Sequence, residues 1–439
     1  MPKKKTALTI EERLQQALVP VEEQPYEVPE NWVWVRLIGN VNSCLDGYRK
    51  PINSSERAKR VGKVPYYGAT GQVGWIDDYL TNEHLVLLGE DGAPFLDLLK
   101  DKAYIIFGEA WVNNHAHILK SYFGEIGNVF LMHYLNMVDY KDYVKGTTRL
   151  KLTQGSMQLM PFPLPPLSEQ QRIVERIEEL FAKLDEAKER LQEVADSFAV
   201  RKAAILHKAF TGELIGKKIE QLVPLESLVD LIKIGPFGSA LHESDYIENG
   251  IPLVNPKHIV QQHIVPQSKI SISEEKAEEL SSYRLKANDI VLGRRGEMGR
   301  CAPVSAREEN WICGTGSMII RLKEEYDARL YSLILGSQAT VTYLENSAVG
   351  STLKNLNEKI VRKIPVPQFD IEEQHEIVRL IDDLLARERS AQQVTEQALA
   401  SIDLMKKSIL ARAFRGELGT NKASEASALE LLKQVLAEG

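Results

Sequence analysis

The sequence offers little of what catalysis, secretion or membrane insertion would require. It holds three cysteines in 439 residues, Cys44, Cys301 and Cys313. The number is odd and no CxxC occurs, so neither a disulfide scaffold nor a zinc ribbon is indicated. No apolar run approaches the ~18 residues of a membrane span, and the opening MPKKKTALTIEERLQQ lacks the apolar stretch of a secretory leader. The expectation is a cytoplasmic protein. No G-x-x-x-x-G-K-[ST] is present: Gly216-Lys217-Lys218 has neither the spacing nor the hydroxyl residue, which argues against ATP hydrolysis by this chain. Asn255-Pro256-Lys257 departs at its third position from the N-P-P-[YF] of amino-methyltransferases and reads as a turn. Pro94–Lys102 carries acids and lysines, but not in the order used by many nucleases. His115 and His117 share a strand face and could ligate a metal; with no third histidine or cysteine nearby, hydrogen-bonded strand histidines are the preferred reading. No metal, cofactor or catalytic residue is therefore assigned.

A basic balance is also lacking. Lys plus Arg number 54 against 61 Asp plus Glu, a net charge of −7, which at face value opposes nucleic acid as a partner. The average conceals local concentrations. Residues 49–63 hold Arg49, Lys50, Arg57, Lys59, Arg60 and Lys63 against Glu56 alone, and 284–300 hold Arg284, Lys286, Arg294, Arg295 and Arg300 against Asp289 and Glu297.

What the chain does have is itself, twice. AFTGEL (Ala209–Leu214) returns as AFRGEL (Ala413–Leu418), a shift of 204 residues. Without a gap, Gly146–Leu214 lies over Gly350–Leu418 with roughly 22 of 69 positions identical, and LLGEDG (Leu87–Gly92) lies over VLGRRG (Val291–Gly296). A period of that length means two whole modules, each a globular unit followed by the same helical unit. Prolines at 161, 163, 165 and 166 impose an extended approach. Ser168 with Gln171, and Asp370 with Glu373, then read as capping boxes. Ile173, Ile177, Leu180, Leu184, Ala187, Leu191, Val194 and Phe198 form a coiled-coil seam. Ile377, Ile381, Leu384, Ala391, Ala398, Ile402, Met405 and Ile409 repeat it, with Glu388 and Thr395 as interruptions, and each helix ends before Gly212 or Gly416.

Two matched seams of about 40 residues suit pairing with each other. Helices of about 41 residues, antiparallel, would make a rod of roughly 60 Å with one globular unit towards each end. The globular units themselves read as short strands broken by Gly and Pro with few helices. The expected fold is α+β: two similar globular domains separated by two long antiparallel coiled-coil helices, an internal pseudo-two-fold repeat. The expected divisions are an arm with a short helix (1–31), a first domain (32–160), a central spacer (161–216), a second domain (217–358), a distal spacer (359–418) and a tail (419–439).

These residues support a resemblance. VPENWVWVRL (Val28–Leu37), YYGATGQVGWID (Tyr66–Asp77), NNHAHIL (Asn113–Leu119), PLPPLSEQQRIVERI (Pro163–Ile177), GPFGSAL (Gly235–Leu241), GIPLV (Gly250–Val254) and the two FxGEL closures make the chain similar to DNA-specificity subunits of type I restriction–modification systems, over almost its whole length. The resemblance implies two target-recognition domains, each reading half of a split double-stranded DNA sequence, with conserved helices between. It further implies two modification subunits bound to those helices, with S-adenosylmethionine. Restriction (motor–nuclease) subunits using ATP and Mg would follow, in host defence, with no membrane partner. On this reading Arg57, Lys59, Arg60 and Lys63 lie near the DNA backbone in the first domain, with Tyr66, Tyr67, Thr70 and Gln72 nearer the bases. In the second, Lys257, Arg294, Arg295 and Arg300 are favoured, with Ser239 and Thr315 as lesser candidates. Two rival readings are the specificity subunit of a fused type II restriction enzyme, and a non-DNA coiled-coil scaffold with two ligand-binding heads.

Overall fold

The structure, a computed structural model, describes residues 9–237, 240–347 and 355–438. It separates into unit 1, residues 1–192 with 397–439, and unit 2, residues 193–396. Two long helices, Leu167–Phe210 and Ile371–Ala413, each run from one unit into the other.

Unit 1 is built on a four-stranded antiparallel sheet in the order Asn42–Cys44, Ala116–Ser121, Leu85–Gly89, Ala103–Ile106. Every residue of Leu85–Gly89 is buried, as expected of a central strand covered on both faces. Beside it lies a second sheet in which Val64–Gly68 pairs antiparallel with Gly71–Ile76 and parallel with Glu109–Val112. His115 and His117, expected on one strand face, are not: Glu109–Val112 and Ala116–Ser121 are separate strands, and His115 lies in the turn between them. The break has a local cause: the Asn113 side chain accepts a hydrogen bond from the His115 amide (2.8 Å), an Asx turn that ends one ladder and starts the next.

Unit 2 repeats this plan. Its four-stranded sheet runs Val229–Ile234, Ser317–Leu322, Asp289–Gly293, Cys301–Pro303, and Ile251–Val254 pairs parallel with Ile312–Cys313. The 204-residue shift carries Leu85–Gly89 onto Asp289–Gly293 without remainder. Each unit is closed by the proline-rich segment before its helix, Pro161–Leu164 on Val33–Arg36 and Pro365–Val366 on Val223–Pro224. Proline lacks a donor and is tolerated in such two-stranded edges.

The helices enter the cores. Ile173, Ile177, Leu410, Ala413 and Phe414 are buried in unit 1; Ala209, Ile377 and Ile381 are buried in unit 2. Pairing is antiparallel within each unit. In unit 1 Lys188 bonds Asp403 (3.0 Å) and Asp185 bonds Lys406 (2.6 Å); in unit 2 Arg201 bonds Glu388 (2.9 Å). Glu388 is thus an ion-pair member, and Thr395, expected to interrupt the seam, is buried in it, whereas Ala391 and Met405 are exposed. A two-helix pair covers a seam from one side only, so a small register drift suffices to change which residues are shielded. The capping box holds in the second copy, where Asp370 and Glu373 exchange bonds of 3.1 and 2.9 Å. It is corrected in the first: the helix starts at Leu167, Pro166 accepts the first amides, and Gln171 turns to Glu175 (2.9 Å). Gly212 and Gly416, at φ +81° and +74°, stand just past the two ends.

The tail belongs to unit 1. Asn421 Nδ2 donates to Glu169 and to Asn31 (both 2.8 Å), Arg172 grips Glu425 through both nitrogens (2.9 and 2.7 Å), and Trp32 donates to the same buried Glu169 (2.8 Å). Beyond them Ala428–Glu438 buries Ala428, Leu432 and Leu436 and packs on Ile10–Ala17. The repeat has the same clamp in unit 2, where Lys217 pairs with Glu373. Removing residues 419–438 takes away two buried leucines, about 3–6 kcal/mol of apolar burial, and strips Glu169 of two donors, Asn421 Nδ2 and the Thr420 hydroxyl. Thermal melting should show unit 1 losing stability while the transition of unit 2 stays in place.

Candidate nucleic-acid interface

In unit 1 three loops meet. The turn Gly68-Ala69-Thr70-Gly71 joins the hairpin, with Gly71 at φ +136°. Its Ala69 carbonyl lies so close to Gly89 that a Cβ there would stand 3.0 Å from that oxygen and 2.4 Å from the Ala93 Cβ, so only glycine fits. The Asn113 amide donates to the Tyr67 carbonyl (3.1 Å), bringing Asn113–His115 alongside, and the Tyr104 hydroxyl donates to the Gly68 carbonyl (2.6 Å). The loop Glu90–Gly92 carries a charge network. Glu90 bonds Lys151 (2.8 Å) and Arg49; Asp46 bonds Arg49 (2.9 Å) and His117 (2.6 Å). Burial pushes both carboxyls up, but hydrogen bonds from His117 on Asp46, and from Lys151 and Arg49 on Glu90, outweigh it and hold them below the usual carboxylate range. Asp91 holds His115 and Arg149, each at 2.7 Å.

Cys44, Asp46 and His117 place ligand-type atoms within 4.8 Å of one another. The Arg49 guanidinium already compensates Asp46 there, and burial raises the Cys44 thiol to about 12, which favours the protonated form over a metal-binding thiolate.

Unit 2 makes the same junction with different residues. The Gly314 amide donates to the Val254 carbonyl (3.0 Å), as Asn113 does to Tyr67. A Cβ on Gly314 would fall 2.2 Å from Asn255 Oδ1, on Gly316 2.9 Å from Pro256, on Gly293 3.2 Å from Pro256, and on Gly235 2.0 Å from the Gly314 carbonyl. Arg294 donates through Nε to the Leu356 carbonyl (3.0 Å); burial, with Arg295 alongside, lowers its guanidinium pKa. Arg300 pairs with Glu297 (2.5 Å) and reaches the Pro256 carbonyl (3.4 Å).

Of the residues expected to contact DNA, Tyr67 and Thr70 lie at the junction of unit 1, and Lys257, Arg294, Arg300 and Thr315 at that of unit 2. Arg295 is exposed beside its junction, and Ser239 lies outside the described residues. Arg57 and Arg60 lie elsewhere, over the Tyr66 and Trp111 rings at 5.1 and 4.6 Å, with Arg60 also bonded to Asp77 (2.6 Å). Lys59 and Lys63 are exposed with no ion pair among the described residues, and Gln72 is exposed, bonding the Gly74 carbonyl (3.1 Å). Tyr66 is a correction. It is 2% exposed and packs with Ile76 and Trp111, because strand neighbours face opposite ways and Tyr67 takes the other side. Arg149, Lys151, Asp91 and His115 went unremarked as candidates for this surface. For Arg149 and Lys151 the signal in the sequence is the repeat, which sets Gly146–Leu152 over Gly350–Leu356.

Two units of one strand order, each with glycine-crowded loops meeting beside exposed cations, define a duplicated surface-reading module carried on shared helices. The chain belongs to the family described as the type I restriction modification DNA specificity domain, whose sequence model matches residues 29–196 and 226–398. It is 30% identical over 317 residues to the type I restriction enzyme EcoBI specificity subunit of Escherichia coli, covering 65% of this chain and 66% of that protein. It is 24% identical over 356 residues to a putative type I restriction enzyme specificity subunit of Haemophilus influenzae, covering 79% and 86%. Among solved structures, a chain of a type I R-M system matches with a TM-score of 0.61 at 18% identity, over 90% of this chain and all of that one. The HsdS subunit from Thermoanaerobacter tengcongensis matches with 0.57 at 17%, over 91% and 100%. These two likenesses concern the fold.

Proposed function

We propose that the chain is the sequence-reading, non-catalytic subunit of a type I restriction–modification complex, unit 1 reading one half of a split double-stranded DNA target and unit 2 the other. The observation that carries this is the double construction of the loop junction. Base edges are read by side chains on protruding loops, and phosphates are met by cations beside them. Each unit supplies both, with different side chains on one backbone plan, which is what two readers of different half-sites require. A helix of 44 residues at ~1.5 Å each measures about 65 Å. The helix pair is then the spacer that fixes the unread gap, on the scale of one DNA turn of ~34–36 Å. Two modification subunits dock on the helices, where Val200, Val394, Leu404 and Met405 leave apolar area in solvent. They bring S-adenosylmethionine and adenine methylation; motor–nuclease subunits bring ATP and Mg. No described helix is long and apolar enough to cross a membrane, so nothing in the helices competes with this role. A methylation map of the host DNA tests the reading. We expect a split motif methylated in both halves that disappears when this chain is deleted; a methylation pattern unaffected by the deletion overturns it.

A further inference from the structure

We propose that Arg149 reads a guanine in the half-site of unit 1, and that Asp91 and His115 hold it in position for that task. The inference rests on the DNA-specificity reading and adds to it a residue and a base. Arg149 stands at the tip between the paired segments Val144–Lys145 and Lys151–Leu152. Both flanks of the tip are tied down: Gly92 N donates to the Leu150 carbonyl (3.3 Å), and Leu152 N to the Glu90 carbonyl (2.7 Å). The side chain then lies across Gly92, where φ is +71° and a Cβ would come within 3.2 Å of Arg149 Nε. Its Nη2 donates to Asp91 Oδ1 (2.7 Å), the same oxygen that His115 Nδ1 meets at 2.7 Å. Nε and Nη1 have no partner among the described residues, and Nη2 keeps a second hydrogen that lies parallel to a donor of one or the other; the side chain is 59% exposed while Asp91 is only 18% exposed. A long, flexible side chain is thus fixed at one nitrogen with the rest of its planar fork offered outwards.

The electrostatics select the ligand. The Asp91 carboxylate cancels the guanidinium charge, so the pull on a phosphate is weak, but the hydrogen-bond donors remain. Two parallel donors in a plane match the O6 and N7 acceptors of guanine in the major groove, a neutral edge that the nearby carboxylate does not repel. The repeat sharpens the contrast. The positions of Glu90-Asp91 in unit 1 are taken by Arg294-Arg295 in unit 2, where Arg295 is exposed with no carboxylate partner among the described residues. One position in the fold therefore suits phosphate in unit 2 and a base edge in unit 1.

The test uses the complete complex with its modification subunits, reading the methylated motif from host DNA. Arg149→Ala should relax one guanine in one half of the motif, with about a 10- to 100-fold loss of discrimination there, and leave the other half intact. Arg149→Lys should behave like Arg149→Ala, because an ammonium is a point charge without the paired fork. The intact half reports, in the same molecules, that the complex has assembled. Restored reading with lysine, accompanied in Arg149→Ala by a salt slope of DNA binding about one unit shallower, would mark a phosphate contact and overturn the proposal. A motif unchanged in both variants, or relaxed at a base other than guanine, overturns it as well. A wild-type complex that shows no split motif would overturn the specificity reading itself, and this inference with it, so the two failures are distinguishable.

Discussion

Replacing Arg321 by methionine is expected to cost unit 2 about 3–5 kcal/mol, a drop of roughly 6–20 °C in its melting temperature. Arg321 grips Asp289 through Nε (2.8 Å) and Nη2 (2.7 Å), and the Asp289 side chain is 1% exposed on a fully buried strand. Methionine fills much of the arginine stem's volume, so the packing term is small and the loss reports a buried carboxylate left without its cation, with the Lys286 amide still donating to it. The reciprocal change, Asp289→Asn, should be milder. The Arg321 guanidinium is about a quarter exposed and can turn to water, whereas the carboxylate cannot. Asp289 also accepts the Lys286 amide (2.8 Å), a bond that the asparagine Oδ1 can still take, so the turn into the strand is kept. Melting of the two variants beside the wild type checks the order; equal effects would mean that burial asymmetry does not set the cost.

Lengthening both long helices by one heptad should widen the unread gap of the DNA target by about three base pairs and leave both halves of the motif as they were. The sites are Gln192/Glu193 and Glu396/Gln397, where the contacts of the two units divide. Seven residues preserve the apolar stripe and add ~10 Å, against 3.4 Å per base pair. The same insertion in one helix alone should abolish site-specific methylation. It would push Lys188 past Asp403 and Asp185 past Lys406 by almost two turns while Arg201 stayed opposite Glu388. Sequencing methylated DNA from cells carrying each variant reads the result, and altered half-sites in the double insertion would refute the spacer role.

The repeat made most of the architecture legible. A shift of 204 residues located the central strand of both units and both long helices, because glycines at crowded strand ends and prolines before helices are set by the backbone. The loop site was legible only in part. Tyr67 and Thr70 fall at the loop junction because they flank a glycine turn, whereas Tyr66 is buried. Alternation along a strand says that two neighbours face apart, not which of them faces the core. The basic run 49–63 drew attention by density. Two of its arginines are spent on the Tyr66 and Trp111 rings, and another, Arg49, on Glu90 and Asp46. Arg149 escaped because its significance comes from Asp91 and His115, 58 and 34 residues away, and no local pattern encodes that meeting. The seam was blurred between Leu384 and Ile402 for a different reason: with one partner helix, several positions are half covered and none is decisive.

The clamp of the tail on the N-terminal segment has a consequence in time. Unit 1 takes its residues from both ends of the chain, whereas unit 2 is one unbroken stretch. Trp32 and Glu169 are synthesised early, but Asn421, Leu432 and Leu436 leave the ribosome about 250 residues after the first part of unit 1 is complete. At ~5–20 residues per second, the half-built core of unit 1 waits roughly 10 to 50 s with Glu169 and the faces of its first helices open to solvent. Of the two units, the one whose first residues are made earlier is thus the later to close.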